Sequence, residues 1–329
     1  MEWFDKNNKG NIWTMNDIIA EINRNYNENF IDIQLIQEGC DNNTYLLKNC
    51  GGDKFIARIS NRNGIEKSIN DFLFETEILD YLLKNNLPVP KIIDTKNMEK
   101  YSYINGKIAV LLKFIEGEKI SLDYQNKPNL EIVKNAGIAL AKLHNLTKNI
   151  ETKFKNSRNI FVEIEKILEK KESLEKYFLN YAEIIENCEK YLDFAKKNFR
   201  IDSIIHNDFR AQNLLTNEKN EVVAILDFDW SCYGNFIKDL ALAVVEWSFP
   251  DMAESYWQDV FETFLTSYSN ERNIAVDPQE LKDWICFNCL SDTCTYISFL
   301  INKKDRENCR EKKEIKSFMF QKFKFFSGL

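Results

Sequence analysis

The apolar positions change period several times along the first third of the chain. Residues 15–26 set Ile18, Ile19 and Ile22 on one side at helical spacing, which predicts a short amphipathic helix. Residues 30–37 alternate, and the polar run Gly39-Cys40-Asp41-Asn42-Asn43 reads as a turn. Residues 44–49 resume an extended pattern and Gly51-Gly52-Asp53 turns the chain again. Residues 54–60 then place Phe55, Ala57 and Ile59 on one face of a strand, with Ile56 and Arg58 on the other. Strand and turn in this order predict an antiparallel sheet. Phe72, Glu75, Leu79 and Leu82 recur at three- and four-residue steps, so residues 69–84 are predicted to be a longer helix. Pro88-Val89-Pro90 cannot continue it. Two more strands, 101–103 and 107–114, flank Asn105-Gly106, a hairpin signal.

Beyond residue 130 the period becomes helical. Residues 131–146 carry Ile132, Ala136, Leu140 and Leu143 on one face, and 159–174 and 179–197 read as helices with charged outer faces. The stretch 204–230 is the exception: a turn, a short strand near 213–215 and another over 222–226. Helices return from Asp239 onward, including 283–299. The pattern predicts an α+β chain, with a β-rich lobe over 1–117 and a mainly helical lobe over 118–329.

Composition narrows the function classes. An apolar fraction of 44%, with 24 Phe and 13 Tyr, argues for a packed core and against global disorder. A net charge of -7 argues against a nucleic-acid partner, which needs clustered positive charge. The short basic spots at Lys312-Lys313 and at Lys322 and Lys324 read as solvated helix face. No apolar leader follows Met1, and the longest apolar stretches, 108–112 and 240–245, are too short for a bilayer. The expectation is a cytoplasmic protein with no membrane partner. Its 8 cysteines are then expected to be reduced thiols. Cys286, Cys289 and Cys294, with Cys309, could offer zinc four thiolates, but their helical setting and the distance to any histidine favour ordinary buried thiols.

The chemistry gathers in His206-Asn207-Asp208-Phe209-Arg210-Ala211-Gln212-Asn213, followed by Ile225-Leu226-Asp227-Phe228-Asp229-Trp230. Phosphoryl transfer from a magnesium nucleotide needs one carboxylate to orient the acceptor hydroxyl, and an amide and a second carboxylate to hold the metal. Asp208, Asn213 and Asp227 supply these groups in that order. Each alone is a common turn-capping residue; the ordered spacing is what carries the reading.

His206-Asn207-Asp208 with Asn213, then Leu226-Asp227-Phe228, Gly234 and Asp239-Leu240-Ala241, resembles the signature of the aminoglycoside phosphotransferase and choline kinase superfamily, which also takes in homoserine kinase-like enzymes. The resemblance covers the whole chain. It implies a protein-kinase-like two-lobed fold and transfer of the ATP γ-phosphoryl group to a small alcohol. It makes Asp208 the catalytic carboxylate and Asn213 and Asp227 the Mg2+ ligands, with Asp239 bracing the catalytic loop through its backbone. His206 is expected to support that loop from within, and His144 to serve in the core. In the first lobe it implies that Gly39 belongs to a nucleotide-covering loop. Arg58 would meet the phosphates, held by Glu75, and backbone groups from Lys113 to Ile115 would meet the adenine. Arg58 departs from the commoner Lys, and Lys54 is the alternative on the same strand.

The acceptor stays open between an aminoglycoside, choline or ethanolamine, an aminosugar, methylthioribose and homoserine. Glu246, Trp247, Asp251 and Glu254 offer aromatic and acidic surface for a cationic alcohol, while Arg210 could receive a carboxylate. The competing reading is a nucleotide-binding regulatory pseudokinase of the same fold. Oligomeric state is left open.

Overall fold

Thr14 opens the first element with a capping box, its hydroxyl accepting from the Asp17 amide while the Asp17 carboxylate accepts from the Thr14 amide. This is helix α1 (Met15–Asn25), which buries Ile18 and Ile22. The computed structural model describes residues 14–38, 42–61, 69–122, 125–307 and 311–328. It divides into two compact units, one of residues 1–80 and 90–115, the other of 81–89 and 116–329.

In the first unit the predicted alternation becomes β1 (Phe30–Glu38), β2 (Asn42–Asn49) and β3 (Lys54–Ser60), followed by α2 (Ile69–Lys84), whose last turn belongs to the second unit. β4 (Ile92–Ile93), β5 (Ser102–Ile104) and β6 (Lys107–Lys113) complete a six-stranded antiparallel sheet. Its order is β1-β2-β3-β6-β4, with β5 paired to β6. Asn105 and Gly106 both take positive φ, 52° and 71°, as a two-residue hairpin of twist-compatible hand requires. Leu47, Phe55, Ala57, Ile59, Ala109 and Leu111 face α1 as one core. Register aligns Arg58 with Thr44 on one side and Val110 on the other, on the face opposite that core.

The second unit begins with β7 (Glu118–Lys119) and α3 (Leu130–Leu146). The predicted helix over 159–174 is two helices, α4 (Val162–Glu169) and α5 (Lys171–Tyr177), because Lys170 leaves helical geometry at φ -102°, ψ 31°. α6 (Tyr181–Asn198) leads to four short strands, β8 (Ser203–Ile205), β9 (Leu214–Thr216), β10 (Val222–Ile225) and β11 (Cys232–Gly234). β9 pairs with β10 and β7, and β8 with β11; the strands β7, β8 and β11 carry too few residues for a readable alternation. Four helices finish the chain: α7 (Phe236–Ser248), α8 (Gln258–Arg272), α9 (Pro278–Glu307) and α10 (Phe318–Ser327).

α9 is longer than the 283–299 expected, and Pro278 stands at its first position, where proline is well tolerated. Residues 278–304 are long and apolar enough to cross a bilayer by composition, although polar interruptions hide this in a search for unbroken apolar runs. Here α9 is a core helix: Trp284, Phe287, Leu290 and Ile297 are fully buried, and α4, α6, α7 and α10 pack on it. Cys188, Cys232, Cys286, Cys289 and Cys294 are buried free thiols, and Cys50 is an exposed one. Cys40 and Cys309 lie outside the described residues.

Candidate active site

β8 runs into the His206 loop, and one carboxylate fixes that loop's backbone. Asp239, in the first turn of α7 and fully buried, accepts from the His206 amide at 2.7 Å through Oδ2 and from the Asn207 amide at 2.8 Å through Oδ1. The His144 ring meets Asp239 Oδ2 at 3.0 Å through Nε2 and the Tyr268 hydroxyl at 2.7 Å through Nδ1. Burial alone would raise the Asp239 carboxyl. The hydrogen bond from His144, with the electrostatic pull of the two imidazoles and the Lys238 ammonium, more than offsets it and holds the group below the usual carboxylate range. Burial lowers the His144 imidazole, so a neutral ring donates from Nε2 to an ionised Asp239 while Tyr268 donates to Nδ1. Both residues therefore act as expected, from inside the unit.

His206 supports the loop in the predicted way. Its Nε2 lies 2.9 Å from the Leu226 carbonyl and its Nδ1 accepts the Asp208 amide at 3.3 Å, which defines the tautomer. Phe209 and Phe228 flank the ring, with centroids 5.7 and 4.7 Å away. Asn207 adopts a left-handed φ of 63°, and Lys238 fixes its side chain by donating to Oδ1. Lys238 is buried one residue before Asp239 and was not foreseen as part of the site; only its place beside Asp239 marked it.

Asp208 and Asn213 are in direct contact. Asn213 Nδ2 donates to the Asp208 carbonyl at 2.9 Å and to its Oδ2 at 2.8 Å. Committing the nitrogen to Asp208 turns the amide oxygen, the only atom of Asn213's side chain that can ligate a cation, the other way. Pairing of Leu214 with Ile225 in the β9–β10 hairpin sets Asn213 opposite Leu226, whose amide donates to the Asn213 carbonyl at 2.7 Å. Asp227 follows at once, in left-handed geometry (φ 61°, ψ 67°) that a non-glycine residue occupies at a cost. Asn213 and Asp227 thus offer two hard oxygen donors on adjoining segments. That fits Mg2+, which takes few protein ligands and fills its octahedron with phosphate oxygens and water.

Desolvation raises the Asp208 carboxyl, and Asp227 adds to this; Arg210, His206 and the Asn213 hydrogen bond oppose it, with a net shift upward. Arg210 Nε lies 2.6 Å from Asp208 Oδ1, yet its N–H is not aimed at that oxygen, and Nε is buried without a hydrogen-bond acceptor. The guanidinium also approaches Glu246 at 3.7 Å, and Glu246 is 3.5 Å from Lys322, which reaches Asp251 at 3.0 Å. Lys322, read from sequence as solvated helix face, is 3% exposed and ion-paired instead. Trp247, offered above as acceptor surface, is fully buried against Phe264, so the site has no indole there. Glu254 lines a cavity of about 540 Å³ with Phe249, Met252, Phe318 and Phe325.

In the first unit Arg58 donates to Glu75, a close and largely buried ion pair. Lys54 points elsewhere, its ammonium 5.0 Å from the Phe114 ring centroid. The Lys113 amide is taken by the Lys91 carbonyl at 2.8 Å, and Ile115 is half-buried. Gly39 lies outside the described residues.

The model of the phosphotransferase enzyme family (APH) matches residues 32–270, and the chain belongs to that family. It is a phosphotransferase. A homoserine kinase of Zymomonas mobilis subsp. mobilis is 26% identical over 241 residues, spanning 72% of this chain and 71% of the relative. One from Bartonella tribocorum is 25% identical over 242 residues, with the same two shares. Among solved structures, amicoumacin kinase in complex with AMP-PNP, Ca2+ and Ami aligns with a TM-score of 0.67 at 16% identity, over 93% of this chain and 96% of that one. Choline kinase LicA from Streptococcus pneumoniae aligns with a TM-score of 0.60 at 15% identity, over 91% and 93%. The chain has the α+β fold of these kinases, as the resemblance of its motifs implied. The family match ends before α9 and α10 begin.

Proposed function

We propose that the chain is a magnesium-dependent kinase that moves the γ-phosphoryl group of ATP onto the hydroxyl of a small alcohol. The observation that carries this reading is the Asp208–Asn213 contact on a loop whose amides are held by buried Asp239, with Asp227 on the adjoining hairpin. Asp208 accepts the hydrogen bond of the attacking hydroxyl and takes its proton as the new P–O bond forms and the bond from the γ-phosphorus to the bridging oxygen breaks, releasing ADP. Its raised carboxyl suits that duty. Asn213 keeps the carboxylate from turning away. Mg2+, held by Asn213 and Asp227, supplies charge neutralisation to the phosphate oxygens when bound. Arg58, positioned by Glu75, contacts the nucleotide phosphates, the loop at Gly39 covers them, and backbone groups at Lys113 and Ile115 meet the base. Residues 1–117 act as the nucleotide-binding lobe and 118–329 as the lobe that carries the acceptor site. The cytoplasm is the natural compartment for its buried free thiols.

The relatives' names favour homoserine as the first acceptor to try, with choline and aminoglycosides next. The pseudokinase alternative is not favoured: Asp208, Asn213 and Asp227 are all present, and the first two are engaged with each other. Transfer from γ-labelled ATP across these alcohols, with Asp208→Ala alongside, tests the reading. At least one acceptor is expected to be labelled, with a loss of about 10²–10⁴-fold in the variant. Chelation should stop transfer and added Mg2+ restore it. Near-normal turnover by D208A would remove Asp208 from its role, and ATP binding with no transfer would favour the pseudokinase.

A further inference from the structure

Asp227 follows β10 in a left-handed conformation, φ 61°, which a non-glycine residue keeps only where its surroundings hold it there. On one side the chain is pinned to the Asp208 loop. The Leu226 amide donates to the Asn213 carbonyl, and the Leu226 carbonyl meets His206 Nε2 at 2.9 Å. On the other side stand Phe228, Asp229 and Trp230, a single 3₁₀ turn closed by the Ser231 amide donating to the Phe228 carbonyl at 3.0 Å. A turn that short is a weak structure by itself. It is gripped by the stretch 152–158, which lies between α3 and α4. Arg158 Nε donates to the Asp229 carbonyl at 3.1 Å, and its guanidinium lies over the Trp230 ring, 3.9 Å from the centroid. Asn156 Nδ2 donates to the Ser231 carbonyl. The Thr152 amide donates to the Tyr233 hydroxyl at 3.0 Å, and the Thr152 hydroxyl is 2.7 Å from it. The contacts fall in reverse order, 158 with 229, 156 with 231 and 152 with 233, so the stretch runs antiparallel to the turn as a strap. Asp229 is buried and Asp227 exposed, so the strap grips the turn and leaves the Asp227 carboxylate open.

We propose that Arg158, seconded by Asn156, is a positioning residue for the metal: by fixing the Asp229 carbonyl and the Trp230 ring it keeps Asp227 in the one geometry that presents its carboxylate to Mg2+ beside Asn213. This deepens the phosphotransfer reading and rests on it. Groups that orient a metal ligand from behind matter to affinity nearly as much as the ligand does. Arginine suits the place, since a planar guanidinium covers an indole face and donates a hydrogen bond at the same time. The sign of the effect separates positioning from charge. As a bare cation near a cation site, Arg158 would oppose Mg2+, and its removal would tighten metal binding. As the group that holds the Asp227 turn, its removal weakens binding. Lysine keeps the charge and one donor, so any difference between the two cations at this position reports geometry alone.

The test uses Mn2+, a hard cation that takes the same oxygen donors, as the probe. Its binding to the full chain with AMP-PNP is followed by electron paramagnetic resonance, and AMP-PNP binding in EDTA by calorimetry. The proteins are the wild type, Arg158→Ala, Arg158→Lys and Asn156→Ala. R158A is expected to raise the Mn2+ Kd about 10–100-fold, with the Kd of metal-free AMP-PNP within about threefold. R158K should recover part of the loss, and N156A should show the same metal-selective loss by a smaller factor. Because Arg158 and Asn156 are only half-buried, thermal midpoints should fall by a few degrees at most. Mn2+ binding that is unchanged or tighter in R158A overturns the proposal, and so does an equal loss of metal-free AMP-PNP binding, which would mean general damage. If R158A does not fold, N156A decides by the same criteria. A wild type that binds AMP-PNP but no Mn2+ would instead sink the magnesium-dependent reading on which the proposal rests.

Discussion

Asp239 serves two loop amides and one imidazole with two oxygens, and Asp239, His144 and His206 are all fully buried. An Asn there would keep one acceptor and turn an N–H₂ group on a donor. Asp239→Asn should therefore cost about 3–5 kcal/mol of folding stability, the range for breaking a buried charged contact. Any folded fraction should turn over slowly, because Asp208 is anchored through the same loop. Denaturant midpoints and kcat for the variant check both effects; a midpoint close to wild type would remove Asp239 from its bracing role. At this scale the motif residues were legible, because Asp208, Asn213, Asp227, His206 and Asp239 lie in runs whose spacing has chemical meaning. Lys238 was not: it acts on Asn207, more than 30 residues away, through tertiary packing that no local spacing encodes. Trp247 misled for the converse reason: an indole near acids reads as binding surface until packing buries it.

Among the elements, α3 lies close against α8 at Gly137. A Cβ built there would lie 2.2 Å from Ser267 Oγ and 2.7 Å from the Phe264 carbonyl. The hydroxyl could turn aside, but the carbonyl is helix backbone and cannot. Gly137→Ala should thus destabilise by about 1–3 kcal/mol through overpacking, despite alanine's better helix propensity. Thermal unfolding of the variant gives the answer; an unchanged or raised midpoint would mean the helices separate at no cost. The displacement would also reach the site, since α8 carries Tyr268 and α3 carries His144, the two residues behind Asp239. Long periodic helices such as α2 and α3, and β3 with its alternation, were readable nearly to their ends. The break at Lys170 was not, because a helix-compatible residue there leaves helical geometry while its neighbours stay in register. The two-residue β4 and β7 are beyond any periodicity argument, since their pairing is decided by β6 and β9.

Across the whole molecule, acid sensitivity should be unequal between the two units. The chain has 2 histidines, His144 and His206, and both fall in the second unit. His144 is fully buried and its imidazole is held below the usual value, chiefly by burial. In the unfolded chain it titrates near the ordinary value of about 6.5. A depressed folded value means the unfolded state binds the proton first, so this stabilisation is present above about pH 6.5 and declines as pH falls below it. Asp239, also held low, contributes stability above the unfolded carboxylate value of about 3.9 and loses it only as pH falls further. The second unit should therefore weaken in two stages, and the first should leave the sheet of the first unit untouched. Amide exchange at pH 7 and pH 5.5, corrected for intrinsic rates, separates the two. Protection in α3, α7 and α8 should drop while β2, β3 and β6 keep theirs. His144→Gln, which can still donate to Asp239, should remove the first stage at the cost of a lower starting stability. Equal loss of protection in both units, or a first stage unchanged in the variant, would place the acid sensitivity outside the His144–Asp239 pair.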